Sequence, residues 1–342
     1  MLKVLDPKNT FGAPIEDELE DARRQSAIDL PGVEVPERSI LVAPRSDDAL
    51  APLLSLAEPL ARSQPPRELI LSRLVEPPRG ASVRGGLQTE NAIVREISTQ
   101  LTKVRIRLGI EGIAARAVAF SSTNPGRDLA RLADKEGVDL LLTDGYRPLV
   151  GEAVPLGDVK PVLLEAPCDV GVLVAREGSE IKLGPDTPIL VPFGGAEHDW
   201  SALELAVWLA SGSGAPVRML GAAGQTEGGK SVSRLLGDAS LVVQGVTGVT
   251  TEPLIVDTGR DGILAAAEGA GLLVIGLSDR WRQEGLGATR SDIAKAAKVP
   301  VVFIGRGTRP GALAPRGDAT RFTWSHAGFD GGLGSRSGPR VG

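Results

Sequence analysis

One series of strands and helices is written twice along this chain. Ser39-Ile40-Leu41-Val42-Ala43-Pro44 opens the first copy, and Pro188-Ile189-Leu190-Val191-Pro192-Phe193 opens the second. Further on, Gly126-Arg127-Asp128 precedes the apolar run Val138-Asp139-Leu140-Leu141-Leu142-Thr143, and Gly259-Arg260-Asp261 precedes Gly271-Leu272-Leu273-Val274-Ile275-Gly276. From Gly126 to Gly259 and from Val138 to Gly271 the step is the same 133 residues, so this stretch aligns without a gap. A duplication of this length requires two similar domains, and 342 residues is the length two domains need.

The periodicity sets the fold class. In the first copy, strands are expected over 39–44, 68–74, 113–120, 138–143 and 169–175. Helices are expected over 49–62, 87–108 and 125–136, with a short one before the last strand. Asn124 reads as an N-cap, Pro125 as the first helical residue and Gly137 as the stop. In the second copy, strands are expected near 188–192, 216–221, 250–256, 271–276 and 300–304. Helices are expected near 198–211, 229–243, 259–269 and 288–297, with Thr258 and Asp261 as a capping box. Strands that are apolar throughout, alternating with amphipathic helices, describe a parallel sheet covered on both faces. The fold class is therefore α/β: two similar doubly wound domains, each a five-stranded mostly parallel sheet. Ligand sites in such domains lie at the carboxyl ends of the strands. The domains span 39–176 and 186–306. An acidic lead-in over 1–38, with a helix at 15–27, precedes them, and a Gly/Arg/Pro-rich tail over 307–342 follows, expected to be disordered apart from the apolar island Phe322-Thr323-Trp324.

Composition removes several function classes. A net charge of −5 gives no basic footprint, which argues against nucleic acid as partner. Cys168 is the single cysteine, so no disulfide forms within the chain, and it reads as a small buried residue before an apolar strand. His198 and His326 are the only histidines, too few for a Ser/His/Asp or Cys/His constellation and without metal-ligand spacing; His198 reads as a helix-start residue. Met1-Leu2-Lys3-Val4-Leu5-Asp6 lacks the apolar region of a signal peptide, and no apolar run is long enough to span a bilayer. A soluble cytoplasmic chain that does not insert into membranes is the expectation.

Ile189-Leu190-Val191-Pro192-Phe193-Gly194-Gly195-Ala196-Glu197-His198, followed by Ala202-Leu203-Glu204-Leu205-Ala206, resembles the opening of a universal stress protein domain. Leu156-Gly157-Asp158-Val159 and Ala166-Pro167-Cys168-Asp169-Val170 resemble that family's closing helix and last strand. The resemblance covers nearly all of 39–306. It implies a nucleotide-binding-type fold (adenine nucleotide alpha hydrolase-like) and pairing through the last strands, as a pseudo-dimer within one chain or as a homodimer. The acidic lead-in, the tandem pair and the ending Arg309-Pro310-Gly311-Ala312-Leu313-Ala314-Pro315 further resemble the cytosolic C-terminal part of actinobacterial cation/proton antiporters.

In relatives that bind ATP, a loop after the fourth strand holds the phosphates. Its pattern is two glycines spaced by two residues, then nine residues, then Gly-Ser or Gly-Thr. Copy one has Gly145, Arg147 and Pro148 there, and ends in Gly157-Asp158. Copy two has Gly276, then Asp279, Trp281, Arg282 and Gly285-Leu286-Gly287. Proline removes a backbone donor and aspartate repels phosphate. The acidic residue of such relatives after the first strand is also missing: Arg45 and Phe193 stand near that place, Phe193 followed by Gly194-Gly195. The resemblance thus implies degenerate nucleotide loops and no cofactor, with ATP remaining open if Arg147 or Arg282 neutralises an anion.

A rival signal is Gly224-Gln225-Thr226-Glu227-Gly228-Gly229-Lys230-Ser231, a full G-x-x-x-x-G-K-[ST] match between an expected strand and helix. Leu254-Ile255-Val256-Asp257 would supply a strand ending in a carboxylate for Mg²⁺. The equivalent loop of copy one, Val75-Glu76-Pro77-Pro78-Arg79-Gly80, has no such motif. Three readings follow: a non-catalytic regulatory or sensory module, with itself or a membrane cation/proton antiporter as partner; an ATP-binding stress protein; and a P-loop NTPase using Gly224, Gly229, Lys230 and Ser231. The first accounts for the most residues.

Overall fold

The structure is a computed structural model that describes residues 36–77, 83–145, 157–176, 180–224, 231–278 and 280–308. The helix expected over 15–27 and the island Phe322-Thr323-Trp324 lie outside these residues, as do Arg147, Gly229 and Lys230.

Copy one runs β1 (Ser39–Ala43), α1 (Asp47–Arg62), β2 (Glu68–Val75), α2 (Val83–Ile110), β3 (Ala115–Ser121), α3 (Pro125–Lys135), β4 (Leu140–Asp144), α4 (Val159–Glu165) and β5 (Asp169–Val174). Copy two runs β6 (Ile189–Pro192), α5 (Glu197–Ser213), β7 (Val217–Ala222), α6 (Val232–Thr247), β8 (Thr251–Val256), α7 (Arg260–Ala266), β9 (Leu272–Gly276), α8 (Trp281–Glu284), α9 (Ala288–Ala296) and β10 (Val301–Gly305). All ten strands join one sheet, in the order β3-β2-β1-β4-β5-β10-β9-β6-β7-β8. Each half repeats the other in mirrored order, and every pairing within a half is parallel.

The halves meet where β5 pairs antiparallel with β10, Val172 opposite Phe303. The last strands therefore pair with each other inside one chain. Each is paired on both edges within the chain, so the pseudo-dimer is the arrangement found.

Burial follows from the topology. β1, β9 and β10 are buried along their whole length because helices cover both faces. One face packs on α1, α2, α5 and α6, through residues such as Leu53, Leu101, Leu203 and Leu236. The other packs on α3, α4, α8 and α9, through Leu129, Val162, Trp281 and Ile293. α5 is buried from Asp199 to Ala210, since it covers the sheet near the junction and also packs on α1. Gly212 makes that second contact possible: a Cβ there would overlap the Pro59 carbonyl of α1. Among the described residues no helix is long and apolar enough to cross a membrane.

Three local expectations are corrected. Asn124 stands at the N-cap position of α3, but its side chain makes no capping bond; Ser122 Oγ accepts from the Asn124 N–H instead (2.9 Å). Thr258 forms no capping box, because α7 starts one residue later, with Gly259 at φ 84° as its N-cap. The repeated Gly-Arg-Asp therefore does different work in each copy. In copy one Pro125 starts the helix early and the tripeptide lies inside it, with Gly126 bare because the Asp158 backbone lies against it. α8, between β9 and α9, has no counterpart among the expected helices.

Candidate functional site

The cleft of copy one opens at the carboxyl ends of β1, β2 and β4. Thr143 Oγ1 donates to the Ala43 carbonyl (2.8 Å), and the Arg45 N–H donates to Asp144 Oδ1 (2.6 Å), which ties the β1 loop to β4. The Arg45 guanidinium lies 3.8 Å from Asp158, which precedes α4. Gly157 adopts φ 61° and carries the chain into this turn. Gly145 continues β4, its N–H donating to the Leu173 carbonyl (3.0 Å). Between these strand ends lies a cavity of about 340 Å³, lined by Arg45, Ser72, Arg73, Ile97, Leu129 and Asp158 among others. Arg73 is held by Asp47 at 3.1 Å. Burial pushes the Asp144 carboxyl above the usual range, more strongly than the Arg45 N–H and guanidinium pull it down. Both arginines of the lining thus already face a carboxylate, Arg45 facing Asp158 and Arg73 facing Asp47, where a phosphate chain would need free donors.

The same place in copy two is closed. Phe193 packs edge-to-face on Trp200, ring centroids 5.0 Å apart at 88°. Gly195 turns the chain at φ 88°, and the Gly194 and Ala196 N–H groups both donate to Asp199 Oδ2, at 2.9 and 3.1 Å. The donors that would face an anion are therefore taken by the chain's own carboxylate. Gly276 lies so close to the α5 start that a Cβ would overlap the His198 carbonyl. His198 Nε2 lies 2.9 Å from Arg290 and 3.3 Å from Asp199, which brings α9 to α5. Burial pulls the Arg290 guanidinium below its usual value, partly opposed by Asp199. Arg282 is exposed on α8, and Gly287, at φ 76°, precedes α9.

The G-x-x-x-x-G-K-[ST] segment does lie between a strand, β7, and a helix, α6. Gly224 adopts φ 139°, and Ser231 is the N-cap of α6, its Oγ accepting from the Arg234 N–H (3.3 Å). The serine hydroxyl caps the helix, whereas a magnesium ligand would project from the first turn. Gly229 and Lys230 lie outside the described residues. Cys168 is buried and in no disulfide, in keeping with its apolar neighbours. Among the described residues no cluster of His, Cys, Asp or Glu could hold a metal ion.

Sequence reading missed Ser72, Arg73, Asp47 and Asp144. One signal was present: Ser72 interrupts the apolar strand Leu69-Ile70-Leu71-Ser72, and it is fully buried. The side-chain contacts at and near the junction were also missed. Arg67 donates to Asp139 Oδ2 (3.2 Å), Arg38 pairs with the other oxygen of Asp139, and Trp208 Nε1 donates to Ser63 Oγ (2.6 Å). These partners are tens of residues apart or more, so no local pattern announces them.

No family model matches the chain, and no curated protein matches it significantly. Solved structures do. A universal stress protein from Archaeoglobus fulgidus DSM 4304 superposes with a TM-score of 0.56 at 16% identity, over 80% of this chain and 99% of that one. The cytoplasmic domain of a prokaryotic cation chloride cotransporter gives 0.53 at 11% identity, over 81% and 99%. A protein described as a universal stress protein from Pseudomonas aeruginosa UCBPP-PA14 gives 0.50 at 18% identity, over 78% and 92%. The ten-stranded sheet with its antiparallel centre is thus the universal stress protein fold, present twice in one chain and joined through the two last strands.

Proposed function

We propose that this chain is a non-catalytic regulatory or sensory module of the cytoplasm, acting as the soluble regulatory part of a cation/proton antiporter system. The observation that carries the non-catalytic half is Asp199. Its carboxylate accepts both the Gly194 and Ala196 N–H groups, so the loop after β6 presents neither donor to an anion. Asp144 and Asp158 repel an anion in copy one. The transporter half draws support from two sides: the sequence resemblance to antiporter cytosolic regions, and the use of this fold by the cytoplasmic domain of a cation chloride cotransporter.

Calorimetric titration of the full chain with Mg-ATP, beside its Lys230→Ala variant, tests the first half. No heat with either protein is the expected result. Micromolar binding to both would establish an ATP-binding stress protein, and binding lost in the variant would establish a P-loop. The transporter half is tested by cation/proton exchange in inverted membrane vesicles of the source cell, with and without added chain; unchanged exchange would refute it.

A further inference from the structure

Arg290 and His198 fix each other's chemistry. A guanidinium has N–H donors only, so the 2.9 Å contact between Arg290 Nη2 and His198 Nε2 requires a lone pair on the ring nitrogen. The imidazole is therefore neutral in this arrangement, with its proton on Nδ1. Protonating Nε2 removes the acceptor and sets two cations against each other. A receiver for the new N–H already stands by, because Asp199 Oδ1 lies 3.3 Å from the same nitrogen. One ring atom thus has a partner for each protonation state. Asp199 is held in both, since its other oxygen accepts from the Gly194 and Ala196 N–H groups. Among the described residues, Glu197 and Asp199 flank the ring on α5 and Arg290 reaches it from α9. Arg306, at the end of β10, is held by Glu197 at 3.0 Å. The loop after β9 meets α5 here through Gly276, which carries no charge.

The contact matters because of where Arg290 sits. It is the third residue of α9, near the helix end whose macrodipole disfavours a cation. Gly287 is the N-cap and supplies no side-chain bond, and Ala288 and Thr289 are exposed. Arg290 Nε is buried and has no hydrogen-bond partner among the described residues. The exposed pair of Asp292 with Arg260, at 3.9 Å, adds little. The second half of α9 is held differently: Ile293, Ala294 and Ala297 are buried, and the Lys295 carbonyl accepts from Arg176. We propose that His198 is a proton-operated clasp. Neutral, it holds the first turn of α9 to α5; protonated, it turns to Asp199 and releases that turn. Only the neutral ring makes the contact, so the contact is present above the ring's titration and is lost as pH falls through it. Copy one contains no histidine, so the response belongs to copy two alone. This goes beyond the regulatory reading and does not depend on it: it concerns local opening of the purified chain, not vesicle exchange.

The test is amide hydrogen exchange of the full chain between pH 5 and pH 8, the span in which imidazoles titrate, beside NMR titration of the His198 ring. The Ser291 N–H donates to the Gly287 carbonyl (3.0 Å) in the first turn, and the Ala297 N–H donates to the Ile293 carbonyl (2.8 Å) at the far end. Corrected for the intrinsic pH dependence of exchange, Ser291 should exchange about tenfold faster at pH 5 than at pH 8, following the ring, while Ala297 stays constant. His198→Gln keeps an acceptor for Arg290 and does not titrate, so Ser291 should stay slow throughout. His198→Lys carries its charge at every pH and should make Ser291 fast throughout. A ring that titrates while Ser291 stays slow, a ring that stays neutral down to pH 5, or the same acid response in His198→Gln would each overturn the proposal. Should His198→Lys fail to fold, the parent chain and His198→Gln decide by the same criteria.

Discussion

The guanidinium carbon of Arg67 lies 4.8 Å from the centroid of the Trp208 ring. Arg67 belongs to the segment leading into β2 of copy one, and Trp208 to α5 of copy two, so the contact crosses the junction of the copies. It is dry: Arg67 and Trp208 are each 3% exposed. Burial pulls Arg67 below its usual value, although Asp139 opposes this, and burial likewise pushes Asp139 up. The indole N–H donates to Ser63, which leaves the ring face to the cation.

Trp208→Ala should therefore remove a large buried ring, one hydrogen bond and the partner of a buried cation together. The expected loss is about 3–5 kcal/mol, the range of large-to-small core changes. Trp208→Phe retains the ring and should cost less. Urea unfolding followed by circular dichroism checks both. The shared sheet further predicts one transition for both copies; two separate transitions in the unmodified chain would show that the junction does not couple them.

Arg116 sits between Glu68 and Glu136, 2.8 Å from each. Burial lowers its affinity for the proton, but the two carboxylates raise it further, and the net direction is upward. Arg116→Met would leave two buried carboxylates facing each other. Breaking such a pair costs about 3–5 kcal/mol at neutral pH. Arg116→Lys keeps a cation between the two carboxylates and should lose less. Urea midpoints of both variants at pH 7 measure it, and an equal loss in both would contradict an ionic origin.

Two helical glycines make opposite predictions. At Gly237 of α6 a Cβ would meet nothing within 4 Å, so Gly237→Ala should stabilise by roughly 0.5–1 kcal/mol. At Gly212 of α5 a Cβ would overlap the Pro59 carbonyl, so Gly212→Ala should cost about 1–3 kcal/mol by pushing α5 from α1. Thermal midpoints of the two variants, measured against the parent chain, should move in opposite directions.

The contrast between these glycines shows what was legible in the sequence. Strands such as Ile40-Leu41-Val42 and Leu273-Val274-Ile275 are apolar at every position, which already means two covered faces, and the repeat already means two five-strand halves of one kind, though not that they join in one sheet. The element order followed from that. Gly212 and Gly237 look alike in sequence because their difference lies in what the fold brings near. The same holds for Gly-Arg-Asp, identical in both copies, whose role changed with one upstream proline. The site was less legible still. Gly194 and Gly195 invite a phosphate in sequence, and only the folded α5 start shows Asp199 occupying their donors. Ser72 was visible as a polar interruption, but its cavity depends on Leu129, which is 57 residues away in sequence.

Asp144 makes the pH behaviour of the copy-one cleft predictable. Burial raises its folded-state value above the unfolded one of about 3.9. The folded chain therefore binds more protons than the unfolded chain between the two values, and stability must fall as pH rises through that window. Asp144→Asn keeps an oxygen to accept the Arg45 N–H but does not titrate. Relative to the parent chain it should gain as pH climbs through the window between the unfolded and folded values, and the gain should level off above that window. Urea midpoints taken across pH 3.5–7 trace the difference; parallel curves for the two proteins would show that Asp144 does not couple folding to protons.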